Sequence, residues 1–146
     1  MPHFTIPLTP ALGPILKVVV GVSAARGSAL AAAGQPMPHM VVLDCLIDTG
    51  ASVSCMDSAA IGPLGLQPTG MTPISTPSTG TNPVQCAQYD VAIGIYHPDY
   101  SRIFDTVPIV AVDFSAQGIQ GLFGRDLLKS CLLVYDGTGQ MFCIGF

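Results

Sequence analysis

The sequence has few charges, and that scarcity excludes several classes of protein. Only 10% of its 146 residues are Asp, Glu, Lys or Arg, and tryptophan is absent. Five scattered Lys and Arg residues on a chain of net charge −4 give no basic surface for nucleic acid. No run approaches the roughly 18 apolar residues that a membrane-spanning helix needs. We therefore expect a protein that binds no nucleic acid and has no membrane span.

The cysteines lack the paired spacing that marks a zinc site. There are five of them, an odd number, and they are well separated along the chain. They fit small buried hydrophobic side chains in a reducing compartment. We therefore expect no metal, no cofactor and a cytoplasmic location, with a secreted or periplasmic form less favoured. No cysteine and histidine stand at a spacing that indicates a thiol protease.

Glycine and proline are abundant, and they indicate many turns between short strands. The chain has 16 Gly and 13 Pro, and its 49% of hydrophobic residues argues against disorder. Strands are predicted at residues 4–8, 15–22, 40–47, 84–96 and 106–114, with a C-terminal hairpin at 131–135 and 140–144. One short helix is predicted at residues 125–130, and residues 57–66 predict a short turn or helical piece around Ala59 and Ala60, broken at Gly62 and Pro63. The sequence predicts a single all-β domain, residues 1–146.

The segments between these strands differ in character. Residues 23–39, rich in Ala, Gly and Pro, favour a long loop, with a short helix at 28–33 as the alternative. Residues 97–102 predict a turn, and residues 68–83 are dense in Thr, Ser, Pro and Gly, which is typical of a hairpin tip. The strand at 40–47 is apolar apart from Asp44, so we expect it to be buried on most sides.

That strand runs directly into Asp48-Thr49-Gly50. A carboxylate at the end of an apolar strand is costly to bury unless it meets hydrogen-bond donors. Thr49 offers a hydroxyl, and Gly50 allows a tight turn whose backbone N–H groups face the carboxylate. The tripeptide alone also occurs in ordinary strand-ending turns, so it needs support from elsewhere in the chain.

The support comes from a second motif downstream. It reads Gly121-Leu122-Phe123-Gly124-Arg125-Asp126-Leu127-Leu128. In this order, the two motifs resemble the retropepsin family of aspartic proteases, from about residue 15 to residue 146. The C-terminal hairpin resembles cellular and bacterial members of that family. The resemblance implies a closed β-barrel-like half-lobe with a flap hairpin and one short C-terminal helix.

The resemblance also implies roles for individual residues. Asp48 would be catalytic, and its loop would be supported by Thr49, Gly50, Ala51, Ser52 and Gly124, where Gly124 lets two chain segments pass closely. The flap would lie at residues 71–84 and offer substrate-binding positions at Ser78, Thr79, Gly80 and Thr81, although an ordinary surface loop is the alternative. Arg125 and Asp126 are interpreted as structural, with Arg125 bonding backbone carbonyls or reaching Asp57 or Asp126.

Aspartic-protease chemistry requires two carboxylates that share one proton. The chain contains a single Asp-Thr-Gly, so an identical chain must supply the second carboxylate, and the resemblance implies a homodimer. We expect an aspartic endopeptidase acting on polypeptides. The alternative is a non-catalytic dimerisation or peptide-binding module with the same fold. Ala51 has no hydroxyl to stabilise the charged pair, so we expect activity at milder pH than in pepsin-like relatives.

The first 14 residues allow two interpretations. They would either join a dimer interface as a strand or lie loose. The C-terminal hairpin suggests that each chain closes part of its own terminal sheet.

Overall fold

The structure, a computed structural model, describes residues 1–75 and 80–146, and strands dominate this part of the chain. The strands are β1 (His3–Pro7), β2 (Ile15–Val22), β3 (Val41–Ile47), β4 (Cys55–Asp57), β5 (Gly70–Ile74), β6 (Val84–His97), β7 (Tyr100–Val112), β8 (Gly121–Phe123), β9 (Leu132–Asp136) and β10 (Met141–Gly145). The helices are α1 (Ala24–Ala32), α2 (Ser58–Ile61) and α3 (Arg125–Leu128), with a 3-10 turn at Gly62–Leu64.

Six strands close into a barrel in the order β2, β3, β8, β4, β7, β6, and β6 pairs back onto β2. Because alternate residues of a strand point to the same side, each strand can turn one apolar face towards the inside of the barrel. In β2 the inward residues are Leu16, Val18 and Val20, all nearly fully buried. The all-β expectation is confirmed.

The strand before Asp48 has an outward face, contrary to the sequence-based expectation. β3 buries Leu43 and Cys45, but Val42 is 59% exposed. Asp44 also points outward, and its Oδ1 accepts from Lys17 Nζ at 2.7 Å. A run of apolar letters does not distinguish a strand buried on both faces from one whose outer residues are simply apolar.

The segment predicted as a long loop begins with a helix. Ser23 caps α1, its hydroxyl accepting from the backbone N–H of Arg26 at 3.3 Å. The helix then continues through alanine-rich sequence to Ala32, and Gly34 follows in a left-handed conformation. The alternative, a short helix at residues 28–33, overlaps α1, and the loop expectation was wrong for this part of the segment. The loop was favoured because two glycines and two prolines were weighed as breakers, although one glycine such as Gly27 costs a helix only about 1 kcal/mol.

β6 and β7 are longer than predicted, and the turn between them is shorter. His97 pairs with Tyr100, which leaves only two residues in the turn. β7 therefore begins six residues before the predicted position 106. The C-terminal helix α3 ends at Leu128, two residues early. α2 falls within the short turn or helical piece predicted at residues 57–66, and α1 is a further helix of the described residues.

β5 and β6 form the hairpin expected between the two motifs. Ile74 pairs with Val84, so the tip lies between them. Gly80 and Thr81 belong to that connection, and Gly80 has a φ of 60°, which favours glycine. Ser78 and Thr79 lie outside the described residues.

The chain ends form a second, three-stranded sheet in the order β1, β10, β9. β1 pairs with β10 of its own chain along His3–Pro7, so it does not lie loose. Phe142 and Ile144 of β10 are buried in the same core as the barrel. Phe4 of β1 stacks on His97 at the end of β6, with ring centroids 5.1 Å apart. The terminal sheet is thus fixed to the barrel by apolar packing.

Across residues 1–75 and 80–146, every helix is too short or too polar to cross a lipid bilayer.

Cys45, in the middle of β3, lowers the stability of this core when the pH becomes alkaline. Burial, with a smaller effect of Asp44, raises the pKa of its thiol to about 12 from 9.0. The folded state therefore binds this proton more tightly than the unfolded chain, and that stabilisation is full below pH 9 and falls as pH rises towards 12. By pH 11 we expect a loss of roughly 3 kcal/mol from this group.

Urea unfolding of the wild type and Cys45→Ala at pH 8 and pH 11 measures this effect. The variant should lose less stability between the two pH values than the wild type. Equal losses would show that Cys45 does not contribute to the alkaline dependence.

Candidate active site

Asp48 follows β3 directly and begins a tight turn. Its backbone N–H donates to the carbonyl oxygen of Phe123 at 3.0 Å, which continues the β3–β8 pairing by one residue. Its carboxylate Oδ1 accepts from Gly50 N at 2.8 Å. A Cβ on Gly50 would lie 3.1 Å from that oxygen, so glycine keeps the approach open. In the single chain the carboxylate is only half-buried.

Two chain segments cross immediately behind this turn. A Cβ on Gly124 would lie 2.8 Å from the carbonyl carbon of Val53, so no larger residue fits without moving the backbone. The φ of Gly124 is −88°, which any residue can adopt. Space rather than backbone conformation therefore requires this glycine. Beside it, Arg125 N donates to the carbonyl oxygen of Ala51 at 2.9 Å.

A side-chain network ties the same two segments together. Ser54 is fully buried, and its hydroxyl donates to Asp126 Oδ1 at 2.7 Å. The backbone N–H of Ser54 donates to Asp126 Oδ2 at 3.0 Å. In turn Gly124 N donates to the Ser54 hydroxyl at 3.0 Å. The segment that follows the Asp48 turn is thus hydrogen-bonded to residues some seventy positions further along the chain.

The Asp48 turn forms the floor of a cleft of about 420 Å³. The cleft is lined by Asp48, Gly50, Ala51, Ser52, Val53, Cys55, Ile74, Ser75, Val112, Phe114, Gln117 and Leu122. Ile74 and Ser75 come from the end of β5, so the β5–β6 hairpin borders the same cleft as the carboxylate. Apart from the turn, the lining is mostly apolar.

The structure brings some of the sequence-predicted residues together and separates others. Asp48, Gly50, Ala51 and Ser52 line the cleft, and Gly124 lies behind the turn. The described hairpin residues Gly80 and Thr81 are not among those that line it. Ser78 and Thr79 fall outside the described residues.

Sequence reasoning missed most of the cleft wall and the part of Ser54 in the network, although it had named Gly124 and Asp126. Leu122 stood inside the downstream motif, and Val112 and Phe114 stood at the end of a predicted strand, so each carried a weak signal. Ser54 carried none, because a serine six residues after an aspartate is common.

Thr49 and Arg125 lie on a different face from the cleft. They border a shallow depression together with Leu128, Lys129 and Leu133. Arg125 is exposed, and its side chain makes no ion pair or hydrogen bond within residues 1–75 and 80–146. The predicted contacts of its guanidinium with Asp57 or Asp126 are therefore not made in the single chain. Asp57 instead accepts from Phe114 N and Ala60 N.

Cys55 is a cleft residue, but its thiol is poorly suited to act as a nucleophile. Burial, with smaller effects of Asp126, Cys86 and Asp48, raises its pKa to about 11. The thiolate is the reactive form, and about one molecule in ten thousand carries it at neutral pH. In the described part of the chain, no three His, Cys, Asp or Glu side chains group as metal ligands would.

Comparison with known proteins adds one finding. No protein-family model matches the sequence, and no curated protein matches it. Among solved structures, the chain is similar to a retropepsin-like aspartic protease from Rickettsia conorii, with a TM-score of 0.59 and 13% sequence identity. The similarity covers 98% of this chain and 90% of that one. At this identity it shows the fold, and the predicted retropepsin-like fold is confirmed.

The close crossing at Gly124 leaves no room for a side chain at this position, and a substitution can test this. We expect Gly124→Ala to destabilise the protein by about 1–3 kcal/mol, because the added methyl group must displace the backbone of Val53. Gly70→Ala is the matched control, since a Cβ there meets nothing within 4 Å and the residue has no positive φ.

Thermal unfolding of both variants checks this expectation. Gly70→Ala should unfold at or slightly above the wild-type temperature. The same unfolding temperature for Gly124→Ala and Gly70→Ala would contradict the steric role of Gly124.

Proposed function

We propose that this protein is an aspartic endopeptidase that acts as a homodimer, with Asp48 of each chain contributing one carboxylate to a shared pair. The observation that carries the proposal is the placement of Asp48. Its carboxylate lies at the floor of an open, mostly apolar cleft, on a turn fixed by a backbone crossing. The retropepsin-like aspartic protease from Rickettsia conorii, whose fold this chain shares, supports the same chemistry.

In the proposed dimer, the two Asp48 carboxylates approach closely enough to share one proton. The ionised member accepts a proton from a water molecule, which attacks the carbonyl carbon of the peptide bond. The protonated member donates to the carbonyl oxygen as negative charge develops on it. Collapse of the tetrahedral intermediate then breaks the C–N bond, and the leaving amine takes up a proton. The two carboxylates titrate as a unit rather than as separate groups.

Two neighbouring features support a specific face for the second copy. The depression beside Thr49 is lined by apolar side chains of Leu128 and Leu133. Leu133 belongs to β9, an edge strand of the terminal sheet. On that strand Leu132 and Val134 are about half exposed, at 49% and 50%. An exposed apolar edge strand is a surface that favours pairing with another strand. The proposed interface consists of the Thr49 depression and the β9 edge.

The cleft favours an extended peptide with apolar side chains. Val53, Ile74, Phe114 and Leu122 supply most of its wall, and no Lys or Arg is among the lining residues. The β5–β6 hairpin, which borders the cleft through Ile74, would cover a bound peptide as a flap. Ser75 and Gln117 are polar residues on the wall, and Gln117 offers an amide to the peptide backbone.

A peptide library tests the proposed chemistry. We expect the wild type to cleave a mixed library when scanned from about pH 3 to pH 8, with cut sites flanked by apolar residues, and Asp48→Asn to lose more than about a thousandfold in rate. Mass spectrometry identifies the cut sites. Because Ala51 donates no hydroxyl to the pair, the maximum should lie at milder pH than about pH 2.

Asp44→Asn is the matched control for this experiment. Asp44 lies on β3, four residues before Asp48, but faces outward to Lys17, and exposed pairs of this kind contribute little to stability. It should cleave like the wild type. No cleavage by a dimeric wild type would instead favour a non-catalytic peptide-binding or dimerisation module.

The proposed interface is tested by placing a charge on the β9 edge. We expect Val134→Lys to raise the dimer dissociation constant at least about tenfold, because a lysine on an edge strand opposes strand pairing. Sedimentation velocity over a range of concentrations measures the change. Cleavage by this variant should recover at high protein concentration.

Val42→Lys provides a matched control, since Val42 is a similarly exposed valine on a strand outside the proposed interface. It should dimerise like the wild type. If the two lysine variants dissociate equally, the β9 edge is not the interface.

A further inference from the structure

We propose that Asp126 is a positioning residue for Asp48, acting through Ser54 and Gly124; the kinetic part of this inference rests on the proposed peptidase function. Asp126 does not line the cleft, and its side-chain hydrogen bonds within the described residues go to Ser54 and Leu127 rather than to Asp48. Its effect on the catalytic carboxylate would be carried by the backbone crossing that lies between them.

Three donors converge on the Asp126 carboxylate. Oδ1 accepts from the hydroxyl of Ser54 at 2.7 Å and from Leu127 N at 3.0 Å. Oδ2 accepts from Ser54 N at 3.0 Å. A carboxylate can accept all three bonds, because both of its oxygens are acceptors. Asp126 thus fixes both the backbone and the side-chain rotamer of Ser54.

Ser54 passes this constraint to the second segment. Its hydroxyl has a single hydrogen, which is committed to Asp126, so an oxygen lone pair faces Gly124 N at 3.0 Å. Gly124 in turn follows Phe123, whose carbonyl oxygen accepts from Asp48 N at 3.0 Å. The route from Asp126 to Asp48 is therefore a continuous series of hydrogen bonds and one short stretch of backbone.

The charge of Asp126 is not used in an ion pair. Within residues 1–75 and 80–146 the ion pairs are Lys17–Asp44 and His97–Asp99, and the neighbouring Arg125 points its side chain to the Thr49 depression. The carboxylate is therefore best explained by the donors that it satisfies. Ser54 is fully buried, so its N–H and hydroxyl would be left unpaired without Asp126.

Graded substitutions test the assignment. We expect Asp126→Ala to lower kcat at least about tenfold with KM changed less than about twofold, because small displacements of a catalytic group cost rate more than binding. Asp126→Asn should be intermediate, since its single amide oxygen keeps the Ser54 hydroxyl bond while its NH₂ faces Ser54 N–H. Ser54→Ala should resemble Asp126→Ala, and the double variant should be little worse than either.

Asp44→Ala is the control. It also removes an aspartate carboxyl group, but from the outer face of β3, the strand that leads into Asp48. It should leave kcat unchanged. If Asp126→Ala does not fold, Asp126→Asn and Ser54→Ala carry the same test. All variants are compared at equal dimer fraction.

Amide hydrogen exchange supplies a readout that does not depend on catalysis. The amides of Gly50 and Gly124 should exchange faster in Asp126→Ala and Ser54→Ala than in the wild type or Asp44→Ala, while β6 amides in the barrel stay protected. Faster exchange at the two glycines together with the kcat loss supports the positioning role. Wild-type exchange rates at both glycines in Asp126→Ala would overturn it.

The two failures are distinguishable. A dimeric wild type that cleaves nothing counts against the proposed function alone, and the exchange rates at Gly50 and Gly124 then decide the positioning role. A wild type that cleaves, with Asp126→Ala matching Asp44→Ala in both kcat and exchange, overturns the positioning role alone.

Discussion

The close crossing of residues 48–54 with residues 123–126 is the constraint on which the rest of the site depends. A Cβ on Gly124 would lie only 2.8 Å from the carbonyl carbon of Val53. Backbone N–H groups of Asp48, Ser54, Gly124 and Arg125 donate hydrogen bonds that hold the two segments at this separation. Without the crossing, the Asp48 turn would be an ordinary exposed loop at a strand end. The barrel makes the crossing possible because it places β3 and β8 side by side as paired strands.

The barrel and the terminal sheet differ in whether they leave a strand edge exposed. Closure of six strands leaves no free edge in the barrel, so its strands are not open to pairing with another chain. The terminal sheet keeps an edge at β9, where Leu132 and Val134 are exposed. With only 10% charged residues, the chain has few means to protect that edge by repulsion. The proposed dimer would cover it, and would also bring together two half-buried carboxylates.

The sequence predicted the elements whose signals are local. Alternation and β-branched runs predicted β2 and most of the barrel, and Asp48-Thr49-Gly50 with Gly124 predicted the crossing through a resemblance. The Ser54–Asp126 network was beyond reach, because 72 residues separate its members and neither residue type is unusual. The helix α1 was missed because single glycines were given more weight than an alanine-rich segment with a serine cap.

The pairing of β1 with β10 also sets an order of events during synthesis. β1 is synthesised well before its partner strand β10. The crossing behind Asp48 likewise waits for residues 123–126. Contacts between such distant parts of a chain form late and slowly. A nascent chain therefore carries Asp48 on an unsupported turn until residues 123–126 have been synthesised.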